Sequence, residues 1–424
     1  MIKKINKSSA GKRGESIRSD CYFEIQTKDS GGIKLEIKSK VQSMYGESIK
    51  EMILVMSEFF ELTDVKIIIE DYGALPFVLA ARFELAVKRL FPDMNKEYLL
   101  PIHEKSLYIT KKDQLRRSRL YLPGNEPKFF VNAGLHSPDG IILDLEDSVA
   151  PSEKDAAQLL VRNALRSVDF YGAERMVRIN QLPKGLDDLK YIVPHNINVI
   201  LIPKCESAEQ VKAVEKEVER LKRSPSLTHS PREGAFKSSP LRGESEGGPY
   251  FMPIIESALG VIKAYEIASA SRNICALAIG LEDYTADIGT QRTNEGTESI
   301  FARQMLVNAA KAAGIQAIDT VFSDVSDMEA LKQSVIEAKS LGFEGKGCIH
   351  PRQIKVVHEA FAPTTDEIEK AKKIVLAFED AEKKGLGVVS LGSKMIDPPV
   401  VKRAIKTIDL AINNGILNRN WKTQ

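Results

Sequence analysis

The chain is poor in three things, and each shortage closes a class of function. Its 60 basic residues against 58 acidic ones leave a formal charge of +2, so no broad field exists to hold nucleic acid or an anionic membrane. Any anionic ligand must be bound locally. Its four cysteines, Cys21, Cys205, Cys275 and Cys348, are scattered among apolar neighbours and form no CxxC pair, which predicts small core residues rather than disulfides or a zinc site. No run approaches the ~20 apolar residues of a membrane span, and the basic start MIKKINKSSAGKRG is followed by no apolar stretch of signal-peptide length. The expectation is a cytoplasmic protein without membrane contact.

What remains is a 424-residue chain, 43% hydrophobic and 28% charged, with room for two or three domains. Residues 1–92 read as a small α+β unit. CYFEIQT and IKLEIKS alternate apolar and polar side chains around Lys28-Asp29-Ser30-Gly31-Gly32, which predicts a hairpin. A helix from Gly46 to Leu62, the strand VKIIIED and a helix from Ala74 to Leu90 follow. The stretch 91–114 has two prolines and no clear periodicity, and residues 93–114 read as a linker.

Residues 115–424 form the second domain. Eight short apolar runs, SRLYLPG, GIILDLED, RMVRIN, NVILIPK, YFMPIIES, CALAIGLED, IQAIDTV and GKGCIHP, alternate with helical patterns such as 153–166, 208–221, 258–271, 300–313 and 327–341. Eight βα units in roughly 240 residues fit a TIM barrel, whose active site lies at the carboxyl ends of its strands. A doubly wound sheet uses the same alternation. Residues 224–249, rich in Ser, Pro and Gly, are expected to be a disordered insert without chemistry, and 362–424 a helical extension.

Polar residues gather at the predicted strand ends. Glu256 and Asp283 each close an apolar run, and a pair of carboxylates with substrate and water satisfies magnesium; acids that merely cap helices are the alternative. Arg178 lies inside an apolar strand, where an unpaired charge is costly. It either pairs with Glu146 or Asp147, or clamps a substrate carboxylate or oxyanion. Asp144 and Glu146, two apart, share a strand face and can take a proton or hold water, or cap the next helix. His350 is a ligand donor or a structural histidine. Asp397, held before two prolines, is an acid/base candidate or the start of a helix.

In this order RRSRLYLPGN, IILDLEDSVAPSEK, MVRIN, LIPKCES, PIIESALG, GLEDYTADIG, GIQAIDTVFSD, GFEGKGCIHPRQI and GSKMIDPP resemble the citrate lyase β-subunit family of CoA-thioester lyases, over roughly Arg116 to Ala411. The resemblance implies a TIM barrel, a homo-oligomer (trimer or hexamer), and Mg2+-dependent cleavage or formation of a carbon bond between an acyl thioester and a 2-oxo acid. By motif it implies Glu256 and Asp283 as metal ligands and Arg178 as the substrate-binding arginine. Tyr121, Lys128, Ile349 and His350 match positions that meet the thioester or substrate, Glu146 stands beside the substrate, and Asp397 matches the acid/base, reaching into a neighbouring subunit.

The first unit, through SDCYFEIQ, LEIKSKVQSMYGESIK and VKIIIEDYGALPFVLAAR, resembles the citrate lyase γ subunit, an acyl carrier protein. That family carries a phosphoribosyl-dephospho-CoA prosthetic group on a serine. The segment AGKRGESIRSDC is longer than the usual form: Ser16 matches by its preceding Glu15, Ser19 by closeness to Asp20. The implied protein is a fused carrier and lyase that splits a citryl thioester to oxaloacetate and an acetyl thioester, partnered by a citrate CoA-transferase (α) subunit. The alternatives are a lyase or malate synthase-like enzyme acting on free malyl-CoA or citramalyl-CoA, and a non-catalytic scaffold.

Overall fold

The computed structural model describes residues 6–223, 248–383, 385, 389–391 and 394–422. All but the last two residues of the predicted 224–249 insert lie outside them. The N-terminal unit is a sheet of β1 (Lys7–Gly11), β2 (Cys21–Thr27), β3 (Lys34–Ser39) and β4 (Val65–Asp71), with helices α1 (Gln42–Phe59) and α2 (Pro76–Leu90). Alternation places Phe23 and Ile25 of β2 opposite Ile69 and Ile67 of β4, all fully buried. One expectation fails here. β2 and β3 are not a hairpin, because β4 lies between them, antiparallel to β2 and parallel to β3. The most apolar strand gains two partners that way, and Asp64 holds the predicted turn open: its carbonyl accepts from the Lys28 amide at 2.8 Å and its carboxylate from the Gly32 amide at 2.9 Å. Residues 7–11 join the same sheet, β1 pairing with β2 from Lys7↔Gln26 to Gly11↔Tyr22.

The eight predicted runs become the eight strands of a closed parallel barrel: β5 (Ser118–Pro123), β6 (Gly140–Asp144), β7 (Glu174–Arg178), β8 (Val199–Ile202), β9 (Tyr250–Ile255), β10 (Ala276–Ile279), β11 (Gln316–Asp319) and β12 (Gly345–Cys348). Helices α3 (Lys154–Ser167), α4 (Gly185–Ile192), α5 (Ala208–Arg223), α6 (Ala258–Ile262), α7 (Ala264–Ala268), α8 (Leu281–Asp287), α9 (Ile300–Ala312), α10 (Met328–Leu341) and α11 (Arg352–Phe361) follow the strands. The single helix expected over 258–271 is broken at Lys263, whose φ of −94° and ψ of 8° end α6. Short buried side chains such as Ile142, Leu201, Ala276 and Ala278 fill the bore. All four cysteines are free and buried, as their neighbours predicted.

Beyond the barrel, α12 (Thr365–Lys383) and α13 (Pro398–Asn413) pack together around Ile374, Val375 and Ala404, with the strand pair β13 (Val389–Leu391) and β14 (Lys394–Ile396) between them in sequence. The ion pair of Lys406 with Glu344, at 2.7 Å, and the contact of Asn414 with Arg117 place α13 against residues that precede β12 and β5. That is the barrel face opposite the strand carboxyl ends.

The N-terminal unit is docked on the barrel. Its α2 packs on α3 within one continuous apolar cluster. Two fully buried side chains join across it: Arg162 of α3 donates to both Glu84 oxygens of α2, at 3.0 and 2.7 Å. Burial pushes the Glu84 carboxyl up, and Arg162 outweighs this to hold it below the usual carboxylate range. Arg82 holds Asp20 at 3.0 and 2.7 Å and reaches the Asn125 carbonyl at 3.4 Å, while Lys12 pairs with Glu126. The loop that carries Ser16 and Ser19 therefore abuts the loop that follows β5. The 93–114 segment is fixed too, with the His103 amide on the Arg166 carbonyl at 2.7 Å and Ser106 on the Val168 carbonyl at 3.0 Å.

Candidate active site

Parallel strands in register bring their ends to one level, and Asp144 of β6 is the register partner of Arg178 of β7. The guanidinium donates to both Asp144 oxygens at 2.7 Å, and its remaining nitrogen stands 2.9 Å from Glu146. Burial works against charge on Asp144, but Arg178 outweighs it and keeps the carboxyl below its usual range. Arg178 stays firmly protonated for the reciprocal reason. Its main partner is thus Asp144, with Glu146 second; of the two partners expected from sequence, Asp147 is not one. The ring of Tyr121, in β5, lies 5.4 Å from the guanidinium.

Glu256 follows β9, and the helix cap is its neighbour Ser257, whose hydroxyl accepts from the Gly260 amide. The acid is therefore free for other work. Only 6% exposed, it has one oxygen, Oε2, taken by the Lys204 amide at 2.8 Å. Lys204 has φ 47°, the left-handed region, and this turn is what aims its N–H at the carboxylate. The other oxygen, Oε1, lies against Gly280, where a Cβ would come within 2.3 Å of it. Only glycine leaves that cradle open, and three residues later Asp283, 44% exposed, stands in the first turn of α8. Burial, with Glu146 and Asp283 adding repulsion, pushes the Glu256 carboxyl up to about 8 against the pull of the Lys204 amide.

Glu146 is buried and neither of its oxygens makes a well-formed hydrogen bond; burial raises its carboxyl as well. The ammonium of Lys204 stands 3.1 Å from Asp147, 3.3 Å from Glu146 and 3.7 Å from Asp283. Asp144, Glu146, Asp147, Glu256 and Asp283 thus face Arg178, Lys204 and the Lys154 ammonium, which donates to the Leu145 and Glu146 carbonyls at 2.6 Å, leaving a deficit that a divalent cation meets. Among the described residues no three His, Cys, Asp or Glu side chains form a cage by themselves. Magnesium needs none: it takes one or two carboxylates and fills its octahedron with substrate and water. All-oxygen donors, a carboxylate with one oxygen anchored, and the space above Gly280 fit that ion at Glu256 and Asp283.

Lys128 lies in the turn Pro127–Phe129 after β5, 3.2 Å from Glu126. Ile349, 41% exposed, and His350, whose ring nitrogen accepts from the Arg352 amide at 3.1 Å, follow β12. β5 and β12 are neighbours, so these residues with Tyr121 sit side by side on one rim. Asp397 is elsewhere: its carboxylate caps α13 by accepting from the Val400 amide at 3.2 Å. Ser16 is exposed in the loop between β1 and β2, and Ser19, at φ 53°, donates its amide to the Tyr72 carbonyl at 3.0 Å. Two roles escaped the sequence: that of Asp144, expected to take a proton or hold water, as the arginine's partner, and that of Lys204 as a cation among the acids.

Residues 117–351 match the family model described as HpcH/HpaI aldolase/citrate lyase. This chain belongs to that family. Among its HpcH/HpaI relatives is the citrate lyase subunit β of Leuconostoc mesenteroides subsp. cremoris, 41% identical over 72% of this chain and 96% of that protein. Human mitochondrial citramalyl-CoA lyase is 31% identical over 70% of this chain and 85% of its own length. The crystal structure of the CitE protein of Mycobacterium tuberculosis, in complex with magnesium, acetoacetate and coenzyme A, superposes with a TM-score of 0.55 at 26% identity, covering 71% of this chain and 99% of that one. The N-terminal unit matches, over residues 11–90, the ACP family model described as malonate decarboxylase delta subunit. The chain is therefore a carbon–carbon lyase of the HpcH/HpaI family with an acyl-carrier-like unit fused in front. No helix among the described residues is long and apolar enough to cross a membrane.

Proposed function

We propose that the chain is a Mg2+-dependent lyase that cleaves a citryl thioester to oxaloacetate and an acetyl thioester. The observation that carries this reading is the meeting of the buried Arg178–Asp144 fork with Glu256 and Asp283 at one mouth of a closed barrel. Mg2+ held by Glu256 and Asp283 supplies Lewis-acid polarisation of the substrate's hydroxyl and carboxylate oxygens. Arg178, pre-aligned by Asp144, clamps the carboxylate of the leaving oxo acid and lowers the cost of charge at its new carbonyl. Loss of the tertiary hydroxyl proton lets the C–C bond break; its electron pair passes to the thioester enolate, which takes a proton at carbon to give the acetyl thioester. Tyr121, Lys128, Ile349 and His350 flank the thioester.

Asp397 serves as the acid/base from a neighbouring subunit of a homo-oligomer, because in its own chain it caps a helix fastened to the opposite barrel face. Ser16, or Ser19 in its place, carries the phosphoribosyl-dephospho-CoA group, and the docked loop presents it beside the β5 rim. Fixed docking makes delivery a matter of the prosthetic arm's reach rather than of a swinging linker. A citrate CoA-transferase subunit exchanges acetyl for citrate to close the cycle in the cytoplasm. The test is intact-mass measurement of protein from its native host together with citryl-CoA, malyl-CoA and citramalyl-CoA cleavage. Oxaloacetate from citryl-CoA supports the proposal; pyruvate from citramalyl-CoA alone favours the activity named for the human relative.

A further inference from the structure

Lys204 meets the candidate metal site with both its ends. Its amide fixes Glu256, and its ammonium lies within 3.7 Å of Asp283, the other candidate ligand. A divalent cation on the Asp283 oxygen sits at about 2.1 Å from it, and two like charges so close repel strongly. Ammonium and metal therefore compete for Asp283. The lysine has a way out: its stem is flexible, its side chain is 28% exposed, and Asp147, 57% exposed, is both its nearest acid and the outermost of them. Glu146 stands 3.3 Å from the same ammonium and is itself held 2.9 Å from Arg178.

We infer that Lys204 is a built-in counter-cation, which neutralises the acid cluster before metal arrives and is driven outward onto Asp147 when Mg2+ takes Glu256 and Asp283. This rests on the proposed metal site. Without Lys204, the acids of the metal-free cluster would have only Arg178 and Lys154, which is bonded to the Leu145 and Glu146 carbonyls, to balance them; with it, the site is stable when empty but pays for that in metal affinity. The left-handed backbone at Lys204 keeps the amide on Glu256 whichever way the side chain points, so removal of the ammonium leaves the metal ligand anchored.

The test is calorimetric Mg2+ titration of the full chain, with thermal melts in EDTA, on wild type, Lys204→Met, Lys204→Gln, Asp147→Asn and the Lys204→Met/Asp147→Asn double variant. Lys204→Met and Lys204→Gln should bind Mg2+ at least about fivefold more tightly, the lower end of ordinary coupling between sites, and should melt lower than wild type in EDTA. Asp147→Asn should weaken Mg2+ binding in the presence of Lys204 and have no such effect in its absence, a coupling that simple charge loss cannot produce. Unchanged or weaker Mg2+ binding by both lysine variants overturns the inference. An additive double variant overturns the role of Asp147. If wild type itself binds no Mg2+, the metal reading falls and takes this one with it, a result distinct from the other two.

Discussion

Substituting Glu256 by glutamine exposes the cost of holding a carboxyl in this site. Burial and the neighbouring acids lift its pKa from 4.5 to about 8, and each unit is worth about 1.4 kcal/mol. The shift therefore corresponds to about 5 kcal/mol at high pH. The sign follows from proton binding: the folded chain holds this proton more tightly than the unfolded one. Metal-free wild type accordingly loses stability as pH rises from 4.5 to about 8, and the contribution is flat on either side. Glutamine never ionises, and its amide oxygen still accepts from Lys204. In EDTA, Glu256→Gln should match wild type at about pH 5 and exceed it by several kcal/mol at about pH 8.5 in urea unfolding followed by circular dichroism. Mg2+ should stabilise only the wild type, with an affinity that climbs up to about tenfold per pH unit below pH 8 as Glu256 sheds its proton. A stability gap that does not widen with pH, or a wild type that is the more stable at high pH without metal, would refute the reasoning.

Arg178→Lys removes the fork that Asp144 aligns, and steady-state assay should show kcat/KM down about 10²-fold or more, with Arg178→Ala no better. Glu84→Gln leaves Arg162 buried beside an uncharged partner; a melt should register a loss of about 3–5 kcal/mol, and limited proteolysis should begin in the 93–114 segment. Asp397→Asn keeps the α13 cap, so it should fold as wild type does while losing about 10²-fold or more in kcat; an unchanged kcat removes Asp397 from the chemistry.

The barrel was legible because most of its strands are buried on both faces and read as short apolar runs ended by a polar residue, even where β5, β7 and β12 bury Arg119, Arg175 and Lys346. The N-terminal sheet was less so. Strand order depends on long-range pairing, and nothing local in CYFEIQT or IKLEIKS says that VKIIIED will separate them. At the site, Glu256, Asp283 and Arg178 announced themselves as charges in apolar runs, and the structure brings all three to one mouth. Asp144 was placed at a strand end, yet its pairing with Arg178 needed the register of β6 and β7. Lys204 gave little signal, since its left-handed backbone is invisible in the dipeptide Pro203-Lys204. The docking pair did leave a trace: Arg82 and Glu84 interrupt the otherwise apolar helix PFVLAARFELAV, and buried charges demand partners, here Asp20 and Arg162.

The most direct measurement is oxaloacetate release from citryl-CoA by the purified chain, followed by coupled reduction with malate dehydrogenase and NADH. Release with Mg2+ that stops in EDTA and in Glu256→Gln is the predicted result. Continued release under either condition would contradict the metal assignment, and no release from citryl-CoA by a chain that cleaves malyl-CoA or citramalyl-CoA would contradict the substrate.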